Sequence, residues 1–220
     1  MDRVSTLVDL LRLRSKERPS ERVMIGQNDR EEVLGSATYA QLDDRARAVG
    51  ALLQGFKAKG ERVLLLYAQG PAYLTALLGC FYSGTIAVPV AAPRDVRNLE
   101  SLQRAVENST PTVILTTSLL LNSIRDVLRD QPDSALKQVR WVATDAVPIE
   151  LGGKWRDAGV HGEMVAYLSH PEGLVDDPTA VTVHHSDLMQ SDYIVRGALE
   201  STEEPAVLLA GHLGFKLETE

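Results

Sequence analysis

Between positions 167 and 188 the chain reads YLSHPEGLVDDPTAVTVHHSDL. An apolar run (Met164, Val165, Ala166, Tyr167, Leu168) enters a loop of Gly, Asp and Pro, and a β-branched run (Val181, Thr182, Val183) leaves it. In α/β enzymes that bind nucleotides, a strand, loop and strand in this order frames a loop that grips phosphate. Such a loop works because glycines let backbone NH groups approach the phosphate, Ser and Thr add donors, and a lysine supplies a point charge. Here the frame encloses Glu172, Asp176 and Asp177, with no lysine. Its contents repel phosphate, and the three carboxylates read as a solvated acidic loop.

Other residue types that carry chemistry are scattered. His170, Asp176, Asp177, His184 and His185 are metal-ligating types, but they lack the helix or loop spacing of a known site, and surface or partly buried histidines are the plain reading. No metal site is assigned. Cys80 lies in the apolar helical run LLGCFY with no basic neighbour to stabilise a thiolate, so it reads as a small core residue. Tyr67 and Pro89 are expected at the C-terminal ends of strands, where α/β sheets bind ligands, although packing and turn roles are the commoner use of such residues. No catalytic residue is assigned.

The elements that must position these residues alternate. A helix is expected over 6–18, where Leu7, Leu10 and Leu11 recur at helical spacing after Ser5 or Thr6 and Pro19 stops the run. Residues 22–26 and 32–35 flank a polar turn and read as a hairpin. Thr38 and Gln41 have capping-box spacing, which starts a helix at Tyr39 that ends near Gly55. Then come a strand at 63–66, a helix opened by Pro71 and running to Ser83, and a strand at 85–88. The pattern continues with a helix at 99–107, a strand at 112–115, a helix at 118–128 and a strand at 139–142. After a break at Gly152 and Gly153 come the two strands around the acidic loop, a helix at 186–199 and a strand at 206–209. Continuous apolar strands alternating with helices predict an α/β fold, a mostly parallel sheet with helices on both faces.

Composition bounds the function. The 220 residues carry a net charge of −7, with dispersed basic residues, which argues against non-specific attraction to nucleic acid or an anionic membrane. A single cysteine rules out an internal disulfide framework and fits a reducing cytosol, so a cytoplasmic location is expected. The N-terminus is too charged for a signal peptide, and the longest apolar region, 72–93, is broken by Gly79, Gly84 and Pro89, so no membrane span is expected.

Four stretches together carry a family resemblance: TYAQLDDRARAVGALLQ, then GERVLLLYAQGPAYLTALLGCFYSGTIAVPVAAPR, then PTVILTTSLLL, then WVATDAVP. In this order the chain resembles the N-terminal part of a fatty acyl-AMP ligase, a branch of the adenylate-forming superfamily, over about residues 6–188. The resemblance implies the fold of that N-terminal subdomain, one unit over 1–220. It also implies that the adenine-binding, metal-binding and catalytic-lysine regions of the family would lie beyond Glu220. Members activate a fatty acid with ATP and pass the acyl group to a carrier protein in lipid, polyketide or lipopeptide assembly. Asp145, in ATDA, matches a family motif without a role assigned here, and His212, followed by Leu213, does not keep the family's next motif.

The resemblance also accounts for the acidic loop. The family's phosphate loop reads T-S-G-S-T-G-x-P-K-G and is followed by V-x-V-x-H-x-N-L. Laid on this chain, the trailing part falls on Val181, Val183, His185 and Leu188, with Asp187 in place of Asn. Within the loop Gly173 and Pro178 keep the family residue, whereas the hydroxyl positions hold Pro171, Glu172, Leu174 and Val175. The later glycines are Asp176 and Ala180, the lysine is Thr179, and Asp177 takes the free position. A charge-assisted hydrogen bond is worth about 1.5–3 kcal/mol, and a carboxylate about 5 Å from a phosphate charge repels it by about 3 kcal/mol at an effective dielectric near 20. The changes therefore imply a loss of several powers of ten in triphosphate affinity. ATP binding is not expected and no cofactor is assigned. Two readings follow: a non-catalytic scaffold that docks protein partners of an assembly line or self-associates, or the N-terminal fragment of an active ligase. The leucine-rich first helix (Leu7, Leu10, Leu11, Leu13) is the surface this reading singles out for association.

Overall fold

The computed structural model describes residues 4–27, 33–68, 70–93, 95–96, 99–131, 134–169, 180–190 and 207–208. The first helix, α1 (Leu7–Glu17), is capped by Thr6, whose hydroxyl accepts from Asp9 N while the Asp9 carboxylate accepts from Thr6 N. A hairpin follows, β1 (Arg22–Gln27) and β2 (Val33–Thr38). Thr38 then starts α2 (Tyr39–Gly55) with the expected box, Gln41 N to Thr38 Oγ1 at 3.2 Å and Thr38 N to Gln41 Oε1 at 2.9 Å. Next come β3 (Arg62–Tyr67), α3 (Pro71–Ser83) and β4 (Ile86–Ala91). They are followed by α4 (Glu100–Ser109), β5 (Val113–Thr116), α5 (Ser118–Leu128) and β6 (Arg140–Ala143). The described part closes with β7 (Val165–Ser169), β8 (Val181–His184), α6 (His185–Gln190) and β9 (Val207–Leu208).

Six strands form one sheet in the order β6-β5-β3-β4-β7-β8, parallel except for the antiparallel β7–β8 pair. Successive residues of β3 serve opposite faces. Val63, Leu65 and Tyr67 join a core with α1, α2 and α3, and Leu64 and Leu66 join a second core with α4 and α5. Period-two side-chain direction on a strand covered from both sides explains why its sequence is continuously apolar. A smaller sheet, β2-β1-β9, joins the hairpin to a strand more than 160 positions downstream through Met24↔Val207 and Ile25↔Leu208.

Several expectations are corrected. Pro89 is the fourth residue of β4, not its end, and lies opposite Leu65 of β3. Gly152 and Gly153 do not break the chain. They belong to a 3₁₀ helix, Ile149–Lys154, and Gly152 lets it approach α2, since a Cβ there would stand 3.2 Å from Asp44 O. The leucines of α1 do not form an outward surface: Leu7, Val8, Leu10 and Leu11 are buried, packed into the first core, and Leu13 is half-buried. Of the helix expected over 186–199, residues 191–199 lie outside the described residues.

A strap after the 3₁₀ helix ties this layer together. Trp155 Nε1 donates to Tyr82 O at 2.8 Å, and the Arg12 guanidinium lies 5.1 Å from the Trp155 ring centre and pairs with Asp157 at 2.7 Å. Gln54 bonds both the carbonyl and the NH of Arg156, and Lys59 Nζ donates to Ala158 O.

Candidate functional site

Strands β3 and β5 are neighbours, yet the helices that follow them leave to opposite faces, α3 into the first core and α5 into the second. A crevice must open where they part, at the carboxyl edge of the sheet. The structure has one there, a cavity of about 430 Å³ lined by Tyr67, Ala68, Gly70 and Pro71 from the β3–α3 turn and by Thr117 and Leu119 from the start of α5. The turn is made by Gly70 at φ +139°, a conformation open to glycine, and Pro71 then starts the helix without needing a partner for an NH. A second cavity, about 450 Å³, lies across Pro71 and Ala72 and is lined by Gln41, Arg45, Thr75, Asp145 and Ile149.

Hydroxyl groups hold the floor of this edge. Tyr67 Oη donates to Thr116 O at 3.2 Å and shares a 2.7 Å hydrogen bond with Thr144 Oγ1, while Thr116 Oγ1 donates to Leu66 O at 2.8 Å. Burial pushes the Tyr67 phenol far above its ordinary range, so it is a fixed hydroxyl and not a base. Asp145, next to Thr144, is exposed and accepts from Ser118 N at 2.8 Å and Ser118 Oγ at 3.0 Å, which fastens the end of β6 to the start of α5. Arg45 NH1 donates to Val147 O at 3.3 Å and supplies the positive charge of the second cavity. Such walls can hold an apolar or neutral ligand portion. The described lining residues of the two cavities contain no paired nucleophile and base.

The sequence-assigned residues fall as follows. Pro171, Glu172, Gly173, Leu174, Val175, Asp176, Asp177, Pro178 and Thr179 lie outside the described residues, as does His170; Ala180 is half-buried just before β8. The flanking strands β7 and β8 are in place, paired from Val165↔His184 to Ser169↔Val181. His184 and His185 part company: His184 is half-exposed and bonds Asp187 at 3.3 Å, whereas His185 is fully buried beside Phe81. Cys80 is fully buried, and burial pushes its thiol up to about 12, as its apolar setting predicts. Tyr67 does end its strand at the crevice. Thr117, Thr144 and Leu119 were not singled out from the sequence, although each follows closely on a strand's carboxyl end, which is the signal that could have found them.

Against known proteins, a family model described as "AMP-binding enzyme" matches residues 12–189. The medium-chain-fatty-acid–[acyl-carrier-protein] ligase JamA of Moorena producens is 30% identical over 203 residues, covering 91% of this chain and 34% of its own length. The long-chain-fatty-acid–AMP ligase FadD32 of Mycolicibacterium smegmatis is 35% identical over 176 residues, which is 80% of this chain and 28% of that protein. Among solved structures, a fatty acyl-adenylate ligase from L. pneumophila in complex with acyl adenylate and pyrophosphate superposes with a TM-score of 0.75 at 30% identity, covering 90% of this chain and 34% of the other. The chain thus spans about a third of the length of the curated relatives it matches.

Proposed function

The chain belongs to the AMP-binding enzyme family, with fatty acyl-AMP ligases among its relatives, and we propose that it is a degenerate, non-catalytic ligase-like domain that serves as a scaffold. The observation that carries this reading is the content of residues 171–180, where the family's hydroxyls, lysine and two of its glycines are replaced, in part by carboxylates. A domain that keeps its packed frame while its reactive loop is lost persists because a surface still binds. The partner in this reading is a protein of a polyketide, nonribosomal peptide or lipid assembly line, or a second copy of the chain. The name of the relative JamA points to an acyl-carrier protein as the first partner to test. The setting is the cytoplasm; among the described residues no helix is long and apolar enough to cross a membrane.

Calorimetric titration with ATP and magnesium tests the loss of nucleotide binding: no heat of binding is expected at physiological nucleotide concentration, and a micromolar dissociation constant would overturn it. Fatty-acid-dependent exchange of pyrophosphate into ATP is expected at background. A second reading, the N-terminal part of an active ligase, is favoured by one observation, the largely apolar crevice kept open at the switch point between β3 and β5. The two readings separate on activity: restored exchange when this chain is combined with the remaining two-thirds of a relative supports the second.

A further inference from the structure

The turn from β8 into α6 is stitched to the segment that enters β7, through His185 N to Met164 O at 3.0 Å and Ser186 N to Gly162 O at 2.9 Å. At that turn the His185 side chain is fully buried, with the Phe81 ring of α3 edge-on at 5.1 Å and Leu188 buried in the same core. Neither ring nitrogen has a hydrogen-bond partner among the described residues. A neutral imidazole in such a place leaves one donor and one acceptor unpaired; the cation would leave two donors and a charge, a much larger desolvation cost. The site therefore tolerates one protonation state.

The charged and titratable groups around it do not rescue the cation. Asp9 of α1 is the nearby carboxylate, and it is committed to the α1 cap, accepting from Ser5 and Thr6. His161, from the segment before β7, and His184, on β8, both oppose a further positive charge. Asp187 of α6 is taken up by His184, through its NH at 2.8 Å and its ring at 3.3 Å. α3 carries no charged residue.

We propose that His185 is an acid-labile latch: protonation of its imidazole undocks β8 and α6 from α1 and α3 while strands β3 to β6 and their helices stay folded. The release is local because among the described residues β8 has β7 as its one partner in the sheet, Val181 and Thr182 are exposed, and of α6 only His185 and Leu188 are buried. The inner strand β3, by contrast, is buried from Val63 to Tyr67. Elements with little buried surface open first. The latch does not depend on the proposed scaffold role.

Burial, with His161 second, lowers the folded imidazole to about 4, against about 6.5 for an unperturbed histidine. The undocked segment therefore takes up the proton first. Docking is at full strength above pH about 6.5, weakens as pH falls, and levels off near 4. Those two values correspond to an opening equilibrium about fiftyfold larger at pH 4.5 than at pH 7.

Hydrogen exchange of the full chain, resolved by residue and corrected for intrinsic rates, reads this directly. Protection over Val181–His184 and His185–Gln190 is expected to fall by about fiftyfold from pH 7 to 4.5, with β3 and β5 unchanged over the same range. His185→Leu and His185→Gln both remove the titrating group; whichever of them folds is expected to lose that pH dependence. A variant that keeps the full pH dependence, loss of protection uniform with β3 and β5, or a folded-state imidazole titrating near 6.5 by NMR would each overturn the latch.

Discussion

Tyr82 donates a 2.5 Å hydrogen bond to Asp43, a carboxylate whose side chain is 1% exposed and which also pairs with Arg47 one helical turn on. The carboxylate is held in the interior by two donors. Removing the phenol oxygen leaves it with Arg47 alone, so Tyr82→Phe is expected to cost about 1–3 kcal/mol, the range for an abandoned buried acceptor. Urea unfolding checks this, with a lower midpoint and an unchanged slope expected. Cys80 gives a second test at this scale. With its thiol pushed up to about 12, the thiolate fraction at pH 8 is about 10⁻⁴, so alkylation by iodoacetamide is expected to wait for unfolding and to accelerate sharply in denaturant. Rapid labelling of the folded chain would contradict the burial. The sequence already pointed to an inert Cys80, because an apolar helix without a basic neighbour is a local property. The Tyr82–Asp43–Arg47 cluster was not legible, since its partners are 39 positions apart and meet through the crossing of α2 on α3.

Two glycines make the elements fit for opposite reasons. A Cβ on Gly79 would lie 2.5 Å from Val49 Cβ, so the glycine sets how closely α3 approaches α2. Gly70 has nothing within 4 Å of such a Cβ, but its φ of +139° suits glycine and no residue with a side chain. Gly79→Ala is expected to destabilise by about 1–3 kcal/mol through overpacking, and Gly70→Ala by a similar 1–3 kcal/mol through backbone strain. The mechanisms separate on rescue. Thermal unfolding is expected to show that Val49→Gly, which removes the Cβ this methyl would strike, lessens the added penalty of Gly79→Ala and leaves that of Gly70→Ala unchanged. Element starts were readable because their signals are local: the Thr38 and Gln41 box and Pro71 placed two helices at their observed first residues. Contacts closed over long separations were not. The strap at Trp155, the pairing of Val207 and Leu208 with β1, and the proline inside β4 each depend on which elements become neighbours, and spacing along the chain does not contain that.

At the scale of the molecule, the two cores settle which apolar residues remain to act outward. The first helix spends its leucines inward: Leu7 is 5% exposed and Leu11 is 7% exposed, against α2 and α3. Leu119, at the rim of the crevice, is 81% exposed. Charge at these two places must have opposite consequences. Leu7→Asp forces a carboxylate into the core beside α2 and α3 and is expected to destabilise the chain by about 3 kcal/mol or more. Leu119→Asp exchanges one solvated side chain for another and is expected to stay within about 0.5 kcal/mol of the parent. Association follows the same division. If the chain pairs with a copy of itself, one form of the scaffold reading, and the exposed Leu119 is the contact, sedimentation velocity is expected to show a dimer that Leu119→Asp converts to a monomer with its melting temperature unchanged. A dimer that survives Leu119→Asp would move the contact away from the crevice. A parent that sediments as a monomer at every concentration would remove self-association and leave docking to a different protein as the form of the scaffold reading to test.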